Sequence, residues 1–187
     1  SIPPTLRFLP TLKHTPSGNV YPCLIGAVTR FPDKKIIALH RTYLAPDGRG
    51  KAPVEKPKML LGDAKGGAIR LAPATEELVM TEGIEDGLSL WLILHKPVWV
   101  GCSARLLENV MLPALPLAST VYIAQDNDEA GQKATGILGK RLYAEGRIVK
   151  ILTPPQQYKD FNHIIQHNKH IESPTKDSIE PSRKEIR

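Results

Sequence analysis

Leu78-Val79-Met80-Thr81-Glu82-Gly83-Ile84-Glu85-Asp86-Gly87 reads as a short apolar strand that gives way, through an acidic turn, to a helix. The same order returns at Thr120-Val121-Tyr122-Ile123-Ala124-Gln125-Asp126-Asn127-Asp128-Glu129-Ala130-Gly131. Both times carboxylates stand where a strand ends and a helix begins. In an open α/β sheet that edge is where ligands bind, so acids from two such junctions can meet around a divalent cation and phosphate. The pattern predicts metal-dependent phosphoryl-transfer chemistry.

Working outward, apolar runs alternate with helical stretches from Pro73 onward, which is the signature of βαβ units and a parallel sheet. Strands are expected at Leu78 to Thr81, Val98 to Gly101, Thr120 to Ala124 and Ile148 to Leu152, with helices at Ile84 to His95, Ala104 to Met111 and Glu129 to Glu145. A short fourth helix begins in Lys159-Asp160-Phe161-Asn162-His163. Strand order 2-1-3-4 places the switch point between the first and third strands and brings Glu82, Asp126 and Asp128 together. The fold class is therefore α/β, with a Rossmann-type parallel four-stranded sheet flanked by helices.

Upstream, Tyr21 to Val28 and Ile36 to Leu44 flank the turn Phe31-Pro32-Asp33-Lys34 and read as an antiparallel pair in a small β-rich lobe. Pro3, Pro4, Pro10 and Pro16 suggest an extended arm with little regular structure before it. The expected division is residues 1–72 for the lobe, 73–167 for the α/β domain and 168–187 for a polar tail or linker.

The net charge of +6 is concentrated at one end: residues 1–72 hold 12 Lys and Arg against 4 Asp and Glu. Arg30, Lys34, Lys35, Arg41, Arg49, Lys51, Lys56 and Lys58 decorate the lobe and are candidates for binding a polyanion such as single-stranded nucleic acid. A solvated basic surface is the plainer alternative. No apolar run is long enough to span a bilayer and no signal pattern opens the chain, so a cytoplasmic protein without a membrane partner is expected. The first residue is Ser1 rather than Met, which leaves room for flanking domains.

Two carboxylates about 4 Å apart repel by roughly 4 kcal/mol at an effective dielectric near 20, so a convergent acid cluster must take up protons or cations. Mg²⁺ suits it, because it uses few protein carboxylates, keeps waters and leaves positions for substrate phosphate. Asp86 lies one helical turn beyond Glu82 and faces the same crevice. Asp128 has a second reading as the N-cap of the following helix, and Asp126 as a turn residue.

Glu82-Gly83 after the first strand and Asp126-Asn127-Asp128 after the third, in this order and apolar setting, resemble the Toprim domain shared by bacterial-type primases, topoisomerases and certain nucleases. The resemblance spans about Leu78 to Ile165. Glu129-Ala130-Gly131 and Lys159-Asp160 look primase-like, and Leu39-His40-Arg41-Thr42-Tyr43-Leu44, Asp47-Gly48 and Pro57-Lys58-Met59-Leu60-Leu61-Gly62 resemble the lobe that precedes Toprim in primases of phages, plasmids and other mobile elements.

The resemblance implies Mg²⁺ or Mn²⁺ on Asp126 and Asp128, with Asp86 and Asp160 completing the metal cluster and Glu82 as metal ligand or general base. It implies that Lys159 steadies a phosphate. Where many relatives continue Lys-Asp-Trp-Asn-Asp, this chain has Phe161 and His163, and the histidine removes one possible metal ligand. The implied function is primer synthesis from nucleoside triphosphates on single-stranded DNA, alongside flanking domains or a replicative helicase. A Toprim nuclease and a non-catalytic nucleic-acid-binding module are the alternatives.

Other motifs carry less. Gly131-x-x-x-x-Gly136 is followed by Ile137-Leu138 instead of Lys and Ser or Thr, so it is not a Walker loop. Cys23 and Cys102 lack CxxC partners and read as core. Trp91 and Trp99 read as core, Tyr21 and Tyr43 as packing residues ahead of base-stacking ones, and His163 and His167 as helix-surface residues ahead of a metal pair.

Overall fold

The computed structural model describes residues 2–32, 34–167 and 182–185. Strands β1 (Leu6–Lys13), β2 (Val20–Arg30), β3 (Ile36–Tyr43), β4 (Lys58–Gly62) and β5 (Gly67–Arg70) come first. They are followed by β6 (Glu77–Thr81), α1 (Ile84–Leu94), β7 (Val98–Val100), α2 (Ala104–Leu107), β8 (Thr120–Ala124), α3 (Glu129–Ala144), β9 (Ile148–Thr153), α4 (Phe161–His167) and β10 (Ser182–Glu185). Among the described residues these strands make one sheet in the order β10-β9-β8-β6-β7-β5-β2-β3-β4, with β1 on β2.

The α/β half has the expected order. β7, β6, β8 and β9 are mutually parallel, which is 2-1-3-4 in the numbering of the four strands read from sequence. Their near-continuous apolar character follows from burial on both faces. Leu78 and Met80 of β6 join Val121 and Ile123 of β8 and Leu138 and Leu142 of α3 in one core layer. Val79 packs on the other face with Ile84 and Leu90 of α1 and Phe161 and Ile164 of α4. The helices thus cover both faces and leave the strand ends open.

The β-rich half continues the same sheet. β5 pairs antiparallel with both β2 and β7, so the lobe and the parallel strands share a hydrogen-bonded seam. A smaller core of Cys23, Tyr43 and Ala52 lies within the lobe.

The structure departs from the sequence reading in three places. The proline-rich segment is not an irregular arm: Leu6–Lys13 is a strand on β2, with its register shift between Leu9 and Leu12, around Pro10. Proline is tolerated at such a bulge on an edge strand. α2 stops at Leu107 rather than Met111, because Arg141 of α3 takes the carbonyls of Glu108 and Val110 and Met111 N–H goes to the Gly66 carbonyl. In the expected tail, Ser182–Glu185 pair antiparallel with β9; residues 168–181 and 186–187 lie outside the described residues.

Candidate active site

The carboxyl ends of β6 and β8 open onto a cavity of about 510 Å³. Glu82, Gly83, Glu85 and Asp86 line it from the β6–α1 junction, Asp126 from the end of β8, Lys159 and Asp160 from the segment leading into α4, and Asn162 and Gln166 from α4 itself. Leu44, Gly50, Lys51 and Lys58 of the β-rich lobe form the facing wall.

Each acidic junction is held by local chemistry. Gly83 precedes α1 without a side-chain cap, and Glu85 and Asp86 fill its first turn, where the helix N-terminus favours negative charge. Thr81 Oγ1 donates to the Gly83 carbonyl at 3.0 Å, closing the turn after β6. Asp86 Oδ1 accepts the Asn162 N–H at 2.7 Å, tying α1 to α4. Asp160 Oδ1 accepts the His163 N–H at 2.8 Å at the start of α4. Asp128 caps α3, its Oδ1 accepting the Gly131 N–H at 2.8 Å.

Burial and mutual repulsion shift the acids upward. Asp86 rises to about 7, first through burial and then through the charges of Asp160 and Asp126, against the Asn162 hydrogen bond. Asp126 rises to about 6 through burial and the charges of Glu82, Asp160 and Asp128, with Lys159 opposing. Glu82 is raised by burial and by Asp128. Glu85 goes the other way: burial pushes it up, but Lys58, its own backbone N–H and Lys51 outweigh that push.

Hard carboxylate oxygens destabilised by burial and by each other fit an oxygen-seeking divalent cation, which would relieve both effects. Among the described residues no set of three Asp, Glu, His or Cys side chains can enclose an ion unaided. That suits a cation that takes one or two carboxylates and completes its shell with water and substrate phosphate.

The structure gathers Glu82, Asp86, Asp126, Asp160 and Lys159 at one cavity, while Asp128 stands beside it, within electrostatic reach of Glu82 and Asp126. The eight basic candidates divide. Lys51 and Lys58 face the acids. Arg30 binds the Lys65 carbonyl at 2.8 Å and lies 3.9 Å from Asp63, and Lys34 lines a separate apolar groove of about 400 Å³. Arg41 pairs across the strands with Ile25 and Met59, on the face away from Lys58, whose cross-strand partner is Thr42. Lys35, Arg49 and Lys56 are exposed.

Sequence reading missed Asn127, the middle residue of Asp-x-Asp. Its N–H donates to the Lys159 carbonyl at 3.0 Å and its Nδ2 to the Tyr158 carbonyl at 2.7 Å and the Pro154 carbonyl at 3.2 Å, so it holds the segment that delivers Lys159 and Asp160. A side-chain amide locked between two aspartates was the available signal. Glu85, in the acidic turn after β6, bridges Lys58 at 3.0 Å and Lys51 at 3.8 Å.

The remaining motifs are structural. Tyr43 is fully buried and donates to the Lys13 carbonyl, and buried Trp99 donates to the Ala72 carbonyl. His163 and His167 stack edge-on beside Tyr158. Both cysteines are free, and burial raises Cys23 to about 11 and Cys102 to about 12, so neither is an activated nucleophile. No described helix is long and apolar enough to cross a membrane.

Both the sequence and the fold have parallels among known proteins. Residues 77–169 match the Toprim domain family, and residues 1–71 match a family described only as a domain of unknown function. The chain carries a Toprim domain. Its fold is that of primase catalytic cores. It resembles a DNA primase domain from Pseudomonas aeruginosa (15% identity, TM-score 0.51, over 84% of this chain and 52% of that one). It also resembles the primase fragment of the bacteriophage T7 primase-helicase protein (20% identity, TM-score 0.50, over 81% and 62%). A third likeness is to the zinc-binding and RNA polymerase domains of the Aquifex aeolicus primase (20% identity, TM-score 0.52, over 84% and 41%). The chain thus spans roughly half the length of these solved chains. No curated protein matches it at a significant level.

Proposed function

We propose that this chain is the nucleotidyl-transferring core of a primase, which joins nucleoside triphosphates into short primers on single-stranded DNA. The observation that carries this reading is the two-sided cavity. Glu82, Asp86, Asp126 and Asp160 line one wall and Lys51 and Lys58 the other, with Lys159 among the acids. A general acid–base site has no need of lysines facing a carboxylate cluster. A site for phosphate esters and a divalent cation needs both signs of charge.

In this reading Asp126, Asp128, Asp86 and Asp160 are the carboxylates available to Mg²⁺ or Mn²⁺, which when bound would neutralise triphosphate charge and lower the barrier at the α-phosphorus. Glu82, raised by burial and by Asp128, is suited to hold the proton released as the primer 3′-hydroxyl attacks the α-phosphorus and the α–β phosphoanhydride bond breaks to release pyrophosphate. Lys159 contributes a fixed positive charge beside Asp126. Residues 1–72 form the lobe that holds the template, and residues 73–167 carry the chemistry. A replicative helicase or flanking domains would supply template selection.

The test is incubation with labelled single-stranded DNA, nucleoside triphosphates and Mg²⁺ or Mn²⁺, beside an Asp126→Ala/Asp128→Ala control. Nucleotide-dependent oligomers that disappear in the control support the reading. Shortened template assigns a nuclease. DNA binding without turnover under either metal leaves a binding module.

A further inference from the structure

We propose that Lys51 and Lys58 form a polyphosphate-binding pair, and that Glu85 occupies it until a nucleoside triphosphate displaces the carboxylate. The inference rests on the reading that nucleoside triphosphates are substrates, and it assigns the part of the cavity that takes their phosphates.

The geometry is that of one anion shared between two cations. Lys58 Nζ reaches Glu85 Oε2 at 3.0 Å and Lys51 Nζ reaches Oε1 at 3.8 Å. Each oxygen serves a different ammonium, so the group carries one uncompensated positive charge. The lysines come from the lobe and Glu85 from the first turn of α1. All three line the cavity that also holds Asp126 and Lys159.

The lysines are carried on ordered backbone. Ala45 N–H donates to the Gly50 carbonyl at 2.9 Å and Gly48 N–H to the Ala45 carbonyl at 2.9 Å, and Leu44 bridges Lys51, so a tight hairpin delivers Lys51. Lys58 opens β4, directly opposite buried Thr42 of β3. The heads remain accessible, with side chains 49% and 34% exposed. Ion pairs this open to water are weak, and a triphosphate brings several charges where Glu85 brings one. Lysine binds phosphate as a mobile point charge, so both heads can leave the carboxylate without moving the backbone. Glu85 then faces the incoming phosphates as a like charge.

Inorganic tripolyphosphate, which has neither base nor sugar, is the probe, titrated into the whole chain with EDTA present and followed by calorimetry. Glu85→Gln removes the competing charge and is expected to tighten binding about fivefold. Lys51→Met/Lys58→Met is expected to weaken it at least tenfold. A short oligonucleotide lacking a terminal phosphate should bind all three proteins alike.

Binding that weakens or stays unchanged in Glu85→Gln makes the contact a mere tether between lobe and α1 and overturns the proposal. So does a lysine variant that loses the oligonucleotide and keeps tripolyphosphate. Circular dichroism checks folding. If Glu85→Gln fails to fold, Glu85→Asp, which keeps the charge with a shorter reach, should tighten binding by a smaller factor, and unchanged binding overturns the proposal. The chelated titration is independent of turnover, so absence of primer synthesis would sink the functional reading while leaving this result standing.

Discussion

Asp86 Oδ1 accepts the Asn162 N–H at 2.7 Å, and this bond holds a carboxyl that is only 7% exposed between α1 and α4. With divalent cations chelated, Asp86 sits at about 7 against an ordinary 3.8. Between those values the folded chain keeps a proton that the unfolded chain has lost. The stabilisation is full below about pH 4 and is lost as pH rises through 7, an effect of about 4 kcal/mol at most. Asp86→Asn keeps an acceptor for Asn162 and removes the charge. Urea unfolding in EDTA at pH 8 should find it more stable than the wild type, while primer synthesis falls at least tenfold. Equal stability of the two proteins at pH 8 would contradict the burial argument.

His40 on β3 tilts stability in the opposite direction. It is 4% exposed, and burial followed by the charge of Lys58 lowers it from 6.5 to about 4. Between those values the unfolded chain binds a proton that the folded chain refuses. Stability is full above pH 6.5 and is lost as pH falls through 4, by about 3 kcal/mol. The slopes of His40 and Asp86 partly cancel in the wild type over this window. Asp126 and Glu82 are raised as well and slope in the same sense as Asp86, so unfolding free energies measured in EDTA from pH 4 to 7 should fall with pH more steeply in His40→Leu than in the wild type and less steeply in Asp86→Asn.

Asn127 supplies a prediction about positioning. Its side-chain amide donates to the Tyr158 and Pro154 carbonyls. Asn127→Ala leaves them unpartnered, at a cost of about 1–3 kcal/mol. Asn127→Asp should cost more, because it turns an oxygen toward those carbonyls and adds a charge to the acid cluster. Denaturant titration ranks the variants. Both should also lose nucleotide binding through displacement of Lys159, and a variant that unfolds more easily yet binds nucleotide normally would remove the positioning role.

The elements that position this site were legible because each is marked by more than one signal. β6 and β8 are apolar runs buried on both faces, and acids follow each directly, so strand and site announced each other. The order of the parallel strands followed from crossover handedness and the need to bring Glu82 to Asp126. β1 was hidden by Pro10 and by its mostly exposed residues, since an edge strand on a solvent face lacks the alternation that a buried one carries. β5 was hidden by length: Gly67–Arg70 is four residues, and its role as the seam between β2 and β7 depends on partners more than 25 residues away on either side. The scattering of the basic residues was equally unreadable, because Arg41 and Lys58 take opposite faces only once the register of β3 and β4 is known.

Two glycines of α3 separate site geometry from helix propensity. A Cβ at Gly131 would stand 3.0 Å from Asp126 Cβ and 3.1 Å from its carbonyl oxygen, whereas one at Gly136 would meet nothing within 4 Å. Gly136→Ala should therefore stabilise the protein by about 0.5–1 kcal/mol with activity unchanged. Gly131→Val should push Asp126 out of place and cut primer synthesis sharply even where the fold survives. Thermal melts beside primer assays decide it, and a fully active Gly131→Val would show that the site tolerates movement of Asp126.

Salt dependence tests how the lobe meets a polyanion. Each phosphate neutralised on a single strand contributes about −0.7 to the slope of log affinity against log salt. Arg49 stands exposed at the tip of the hairpin beside the cavity, so Arg49→Ala should reduce the slope by about that amount. Arg41 has its Nε buried and lies on the face opposite Lys58, so Arg41→Gln should leave the slope unchanged. Fluorescence anisotropy of a labelled oligonucleotide across salt concentrations reads both variants. A flat response in the wild type would remove electrostatic capture by the lobe, and a slope that depends on Arg41 instead would place the strand on the other face of the sheet.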